Sequence, residues 1–113
     1  MKYKASVHGS VTVIALEGNM MGGPDATMLN GKLHDLVETG KKQVVVNLAG
    51  VEFINSSGLS QLIGGASLMK NAGGALKLAN ASEKISALLK ITRLSPVFES
   101  HSSVAAAVAS FSK

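Results

Sequence analysis

The chain has 113 residues, 46% of them hydrophobic and 16% charged, a balance that suits one folded domain with a modest core and argues against disorder. It contains no cysteine, which excludes disulfides, thiolate metal sites and cysteine nucleophiles. The net charge is +4, yet the lysines are scattered, Arg93 is the single arginine and tryptophan is absent. A solvated basic surface fits that pattern better than a nucleic-acid interface, which needs clustered cations and aromatic stacking. No apolar run approaches the ~18–20 residues of a membrane span, and Met1-Lys2-Tyr3-Lys4 lacks a signal-peptide core, so a cytoplasmic protein is expected.

Tyr3 to Val7 and Val11 to Leu16 are rich in strand formers, and Gly9-Ser10 supplies the turn of a hairpin. Gly18 to Gly23 reads as a loop carrying Met20 and Met21. A helix then starts near Pro24, a residue suited to the first helical position, and Asp25 complements the helix dipole. Ala26, Leu29, Leu33, Leu36 and Val37 form its apolar stripe, and Gly40 stops it. Lys42 to Leu48 has an unbroken apolar centre, the mark of a strand covered on both faces in a parallel sheet.

The next helix begins at Ser57 and repeats apolar residues at Leu59, Leu62, Ile63, Ala66 and Met69, ending around Asn71 to Gly74. Its Gly64-Gly65-Ala66-Ser67 run costs helix propensity, so close helix–sheet packing is the natural reason for it. Ala75 to Ala79 reads as a strand. Ser82 caps a helix carrying Ile85, Leu88 and Leu89. Pro96 marks the break, Val97-Phe98-Glu99 forms a short strand, and Ser102 or Ser103 caps a last helix bearing Val104, Val108 and Phe111. A hairpin followed by alternating strands and helices predicts one α/β domain over residues 1–113, built on a mixed sheet of about four to five strands.

Catalytic constellations are thin. His8, His34 and His101 fall on separate elements with no metal-ligand spacing. Gly22-Gly23-Pro24 and Gly64-Gly65 match neither a P-loop nor a dinucleotide fingerprint. A serine nucleophile at Ser57 would need one of the histidines within hydrogen-bond reach, and no nucleophile elbow accompanies it. Neither cofactor nor metal is expected.

One stretch stands out. Asn55-Ser56-Ser57-Gly58-Leu59 sits where an apolar strand passes into a helix, so Asn55 or Ser56 is the cap and Ser57 lies in the first turn. Free backbone N–H groups and the helix dipole favour negative charge there. A phosphate on Ser57 would add about −1.5 to −2 charge where the fold can accept it, while a docked partner would meet a bulky dianion. Cap alone and phosphorylation switch both satisfy this geometry.

Phe53-Ile54-Asn55-Ser56-Ser57-Gly58-Leu59, preceded by Val44 to Val51, resembles the signature of STAS domains, in particular the bacterial anti-sigma factor antagonists, and the resemblance extends over essentially the whole chain. It implies a single mixed sheet with about four helices packed mainly on one face, and no enzyme activity. It further implies a partner switch: the unphosphorylated protein binds an anti-sigma factor that is also a serine kinase, releasing the sigma factor. Phosphorylation of Ser57, with Ser56 as the alternative acceptor, then dissolves the complex until a phosphatase resets it. The docking residues carried over are Asn55, Ser56, Ser57 and Gly58, joined by Met20 and Met21. The free protein is expected to be a monomer that binds neither nucleic acid nor membrane. Two positions differ from the family pattern, since Asn55 and Met21 stand where aspartates are usual. They favour an alternative in which the domain is a non-switching subunit of another complex, such as a lipid-transporting ABC system.

Overall fold

The computed structural model describes residues 2–18, 24–51, 53–91 and 99–111, with side chains for all of these except 2, 24–27 and 56. Its elements run β1 (Lys2–His8), β2 (Val11–Glu17), α1 (Pro24–Glu38), β3 (Gln43–Gly50), α2 (Ser56–Asn71), β4 (Ala75–Ala79), α3 (Glu83–Ile91), β5 (Ser100–His101) and α4 (Val104–Ser110). The strands form one mixed sheet in the order β1-β2-β3-β4-β5. β1 and β2 are an antiparallel hairpin, and β2, β3, β4 and β5 are mutually parallel. Gly9 turns the hairpin at φ +65°, a conformation that costs glycine least.

Side-chain alternation along the central strands sorts the core into two layers. Ile14, Leu16, Val44, Val46, Leu48, Leu76 and Leu78 face α1, α2 and α3, which contribute Leu29, Leu33, Leu62, Met69, Ile85 and Leu89. Val11, Val13, Val45 and Ala79 point the other way and are covered by Ala107 of α4, with Val104, Val108 and Phe111 around it. Three helices therefore cover one face and the short α4 the other, in keeping with the expected packing mainly on one face. Each fully buried leucine contributes about 2 kcal/mol from removal of apolar surface from water.

The helix stops follow from glycine. Lys41 N donates to Leu36 O and Gly40 N to Val37 O, with Gly40 at φ +79°. The end of α2 repeats this through Gly74 N to Met69 O and Gly73 N to Lys70 O, with Gly73 at φ +86°. Both are paired closures that satisfy the last helix carbonyls. Ser82 Oγ accepts from Ile85 N at 3.2 Å and Ser103 Oγ from Ala106 N at 3.1 Å, so Ser103 rather than Ser102 caps α4.

Two expectations are refined. The expected short strand Val97-Phe98-Glu99 falls mostly outside the described residues; the described strand is Ser100–His101, whose register places Ser100 opposite Leu78, and the Glu99 carbonyl before it accepts from Leu78 N. Residues 97 and 98, like Pro96, lie outside the described residues. The Gly64-Gly65 pair divides in role. A Cβ on Gly65 would come within 2.7 Å of Leu33 Cδ1 on α1 and 3.5 Å of Leu76 Cδ1 on the sheet, whereas one on Gly64 would meet open space.

α4 is pinned by a polar cluster under the sheet. Lys77 Nζ, with only 13% of its side chain exposed, bonds Glu99 Oε2 at 2.8 Å and Ser110 Oγ at 2.6 Å and lies 4.2 Å from the Phe111 ring centre. His101 Nε2 approaches the same Glu99 oxygen at 2.6 Å. The Lys77 ammonium, followed by the His101 contact, holds the Glu99 carboxyl down from its ordinary 4.5 to about 2. A folded value below the unfolded one stabilises above pH 4.5 and is lost as pH falls toward 2.

Two predictions follow from this architecture. Amide protection across 104–111 should decline between pH 4.5 and 2 in hydrogen-exchange measurements, modestly because Glu99 is half exposed, and Glu99→Gln should flatten that decline. In denaturant melts Gly64→Ala should stabilise by about 0.5–1 kcal/mol, since it relieves helix entropy without a clash. Gly74→Ala should destabilise by about 2 kcal/mol or more, because its Cβ would lie 2.0 Å from Lys42 O and the sheet would have to shift.

Candidate functional site

The chain crosses from β3 to α2 at the carboxyl ends of the parallel strands, where α/β sheets usually place their sites. Gly50 ends β3 opposite Glu17, and Gly18 N donates to Gly50 O at 3.0 Å. A Cβ on Gly50 would lie 2.8 Å from Leu16 O, so the close approach of these two strand ends requires glycine. Val51 N then bonds Leu48 O at 2.9 Å, turning the chain toward α2.

Asn55 is the cap. Its backbone is extended (φ −88°, ψ 179°), its Oδ1 accepts from Gly58 N at 2.8 Å, and its carbonyl receives the first helical bond from Leu59 N at 2.9 Å. This satisfies one of the unpaired donors of the first turn. The uncharged amide therefore performs the capping that an aspartate would perform. Ser56 opens the helix, Ser57 follows with its side chain exposed, and Gly58 is buried. The α2 first turn holds no acidic residue, so nothing there offsets the positive end of the helix.

Four of the expected site residues, Asn55 to Gly58, are thus consecutive at one helix start, with Ser57 exposed and Gly58 buried. Met20 and Met21 lie outside the described residues. α1 and α2 run side by side in the same direction, with Asn30 Nδ2 donating to Gln61 Oε1 and Leu33 against Gly65.

The histidines do not gather at Ser57. His8 pairs with Val11, which stands beside Gln43 at the start of β3, a strand length of about 25 Å from the serine end. His34 follows Leu33, which packs level with Gly65, about 12 Å along the helix from Ser57. His101 is engaged by Glu99. Among the described residues no group of three potential metal ligands forms, and no helix is long and apolar enough to cross a membrane. The arrangement presents a hydroxyl at a helix N-terminus, and among the described residues none of the three histidines is placed as a base for it.

Phe53 and Ile54, the first two residues of the signature stretch, differ in burial. Ile54 is 4% exposed and Phe53 49%. Adjacent residues in extended chain point to opposite sides, which was the available signal. Phe53 therefore adds an apolar surface immediately ahead of the capped turn.

The STAS domain family model matches residues 2–107. The chain belongs to the STAS family, among the anti-sigma factor antagonists. It is 35% identical over 74 residues to the anti-sigma-B factor antagonist of Bacillus subtilis, covering 66% of this chain and 67% of that one. A Thermotoga maritima structure superposes with a TM-score of 0.89 at 17% identity, covering 98% of this chain and 95% of its own. The Bacillus cell fate determinant SpoIIAA in its phosphorylated form gives 0.76 at 18% identity, with 97% and 99% covered. As a STAS domain this protein belongs to a regulatory, non-catalytic family.

For this STAS domain the cap carries a measurable load. Asn55→Ala should cost about 1 kcal/mol in urea unfolding by loss of the capping bond. Asn55→Asp should keep the cap and be neutral or stabilising by up to about 1 kcal/mol through the dipole.

Proposed function

We propose that the protein is a phosphorylation-controlled anti-sigma factor antagonist. In the unphosphorylated state it binds an anti-sigma factor that is also a serine kinase, and this frees the sigma factor. The kinase then phosphorylates Ser57, with Ser56 the alternative acceptor, the complex separates, and a phosphatase restores the binding state. ATP and magnesium belong to the kinase. Residues 1–113 act as one cytoplasmic domain, monomeric when free, and the docking face comprises Asn55 to Gly58 together with Met20 and Met21.

The observation that carries this reading is the exposed Ser57 in the first turn of a helix whose cap, Asn55, already holds the backbone in place. A dianion there meets unpaired N–H groups and the positive end of the helix, so the fold tolerates it. A partner seated on the same turn would have to strip water from that dianion, which is costly. The solved phosphorylated form of SpoIIAA, a protein of the same fold, supports the compatibility of such a domain with phosphate.

Asn55 in the place of the usual aspartate favours one competing reading, a non-switching STAS subunit of another complex such as a lipid transporter. The two differ in what touches Ser57. Incubation with the anti-sigma kinase of the same cell and Mg-ATP should place phosphate on Ser57, and Ser57→Ala should abolish it. Ser57→Asp should weaken binding to that kinase at least about tenfold, roughly 1.4 kcal/mol. Unmodified serines, together with full binding by Ser57→Asp, would remove the switch and leave the subunit reading.

A further inference from the structure

β1 closes one side of the sheet, and among the described residues no strand pairs with its outer side. It is the longer of the two sheet edges, with seven residues against two in β5. Lys4 to His8 are all exposed, and Val7 keeps 59% of its surface open. Unpaired backbone N–H and C=O groups along such an edge are a template for another strand.

The hairpin turn settles which groups are on offer. Gly9-Ser10 joins His8 to Val11, and a two-residue turn closes on a pair that exchanges both main-chain bonds. Alternation from that pair turns the backbone groups of His8, Ser6 and Lys4 inward to β2 and those of Val7, Ala5 and Tyr3 outward. The side chains of the outward three share the face covered by α1, α2 and α3, because they stand opposite Thr12, Ile14 and Leu16. Tyr3 packs against the core on that face.

We propose that this edge pairs with the same edge of a second copy, antiparallel and centred on Ala5, so that one sheet runs through both. Ala5 then faces Ala5 of the second copy, and Tyr3 faces its Val7. The three outward residues exchange about six main-chain hydrogen bonds, and each tyrosine ring covers an exposed valine, a favourable cross-strand pair. Lys4 falls opposite Ser6, and the strand ends set Lys2 opposite His8.

Other registers fit less well. A slip of one residue matches outward groups to inward ones, so no ladder forms. A slip of two in one direction sets Lys4 against Lys4, like charges directly opposite. The same slip in the other direction runs Tyr3 onto the turn at Gly9 and leaves Val7 beside Ala5. β5 is too short to compete, so the contact is isologous and closes as a dimer.

One strand edge buries less than the ~1,200–2,000 Å² of a stable interface. The pairing is therefore weak, and the dilute domain stays a monomer. The Lys4 side chains of the two copies also become diagonal neighbours about 7–8 Å apart, a repulsion that salt screens. The inference goes beyond the partner switch and does not use Ser57. β3, which feeds α2, lies two strands in from β1.

The chain has no cysteine, so single thiols report the register. Under a thiol oxidant, Ala5→Cys should form a covalent dimer at least about tenfold faster than Ser6→Cys or Val7→Cys, because only position 5 meets itself. Sedimentation equilibrium of the wild type from about 10 µM to about 1 mM should show a monomer passing into a dimer. Raising the salt from about 0.05 to about 0.5 M should strengthen association at least about threefold, and Lys4→Thr should do the same at low salt. Ala5→Pro removes an outward N–H without breaking a bond to β2 and should abolish the dimer. Val7→Asp, which keeps every backbone group, should weaken it. Equal crosslinking at positions 5, 6 and 7, or a monomer throughout the range, would overturn the proposal whatever happens at Ser57. Fastest crosslinking in Ser6→Cys would overturn the register centred on Ala5.

Discussion

Val44, Val45 and Val46 have no exposed surface, and three consecutive strand residues can be buried together only if both faces of the sheet are covered. The rest of the molecule answers to that requirement. β2 and β4 flank β3 in parallel, α1, α2 and α3 close one face, and α4 closes the other. The second closure is the weaker of the two. α4 has seven residues and contributes one fully buried side chain, Ala107, so the Lys77–Glu99–Ser110 cluster fastens what apolar contact alone would leave marginal.

Parallel pairing also sets the position of the candidate turn. α1 follows β2 and α2 follows β3, so both helices begin at the same edge of the sheet, where Gly18 and Gly50 bring the strand ends together. Asn55 then fixes the entry to α2 through its bond to Gly58 N. Because the cap is a side chain that precedes Ser57, the serine hydroxyl is not needed to hold the helix. In the proposed switch, Asn55 holds the helix and the exposed Ser57, two residues on, takes the phosphate.

Much of this was legible in the sequence because it depends on local signals. The Gly9-Ser10 turn, Pro24 at the start of α1, Gly40 at its end and Ser82 before α3 are each decided within a few residues. So is the strand–Ser-Ser-Gly–helix passage, and its match to the STAS pattern extended the reading over the chain. What escaped depends on residues far apart. Lys77 reads as one more surface lysine, and only the fold brings Glu99 and Ser110 to it. Gly64 and Gly65 look alike in sequence, but Leu33 packs against one and not the other. The pairing of Ser100 and His101 with β4 likewise depends on a register that only the folded sheet supplies. The contrast between exposed Phe53 and buried Ile54 likewise emerges only in the folded chain.

The central claim is that this turn accepts a phosphate without strain and loses its partner because of it. The most direct measurement uses one sample carrying phosphoserine at position 57, made by semisynthesis, and reads its melting temperature and its affinity for the anti-sigma factor side by side. The account predicts a melting temperature equal to or above that of the unmodified protein, with affinity lowered at least about tenfold. A melting temperature lowered by about 8 °C or more, equivalent to roughly 2 kcal/mol, or an unchanged affinity, would contradict it.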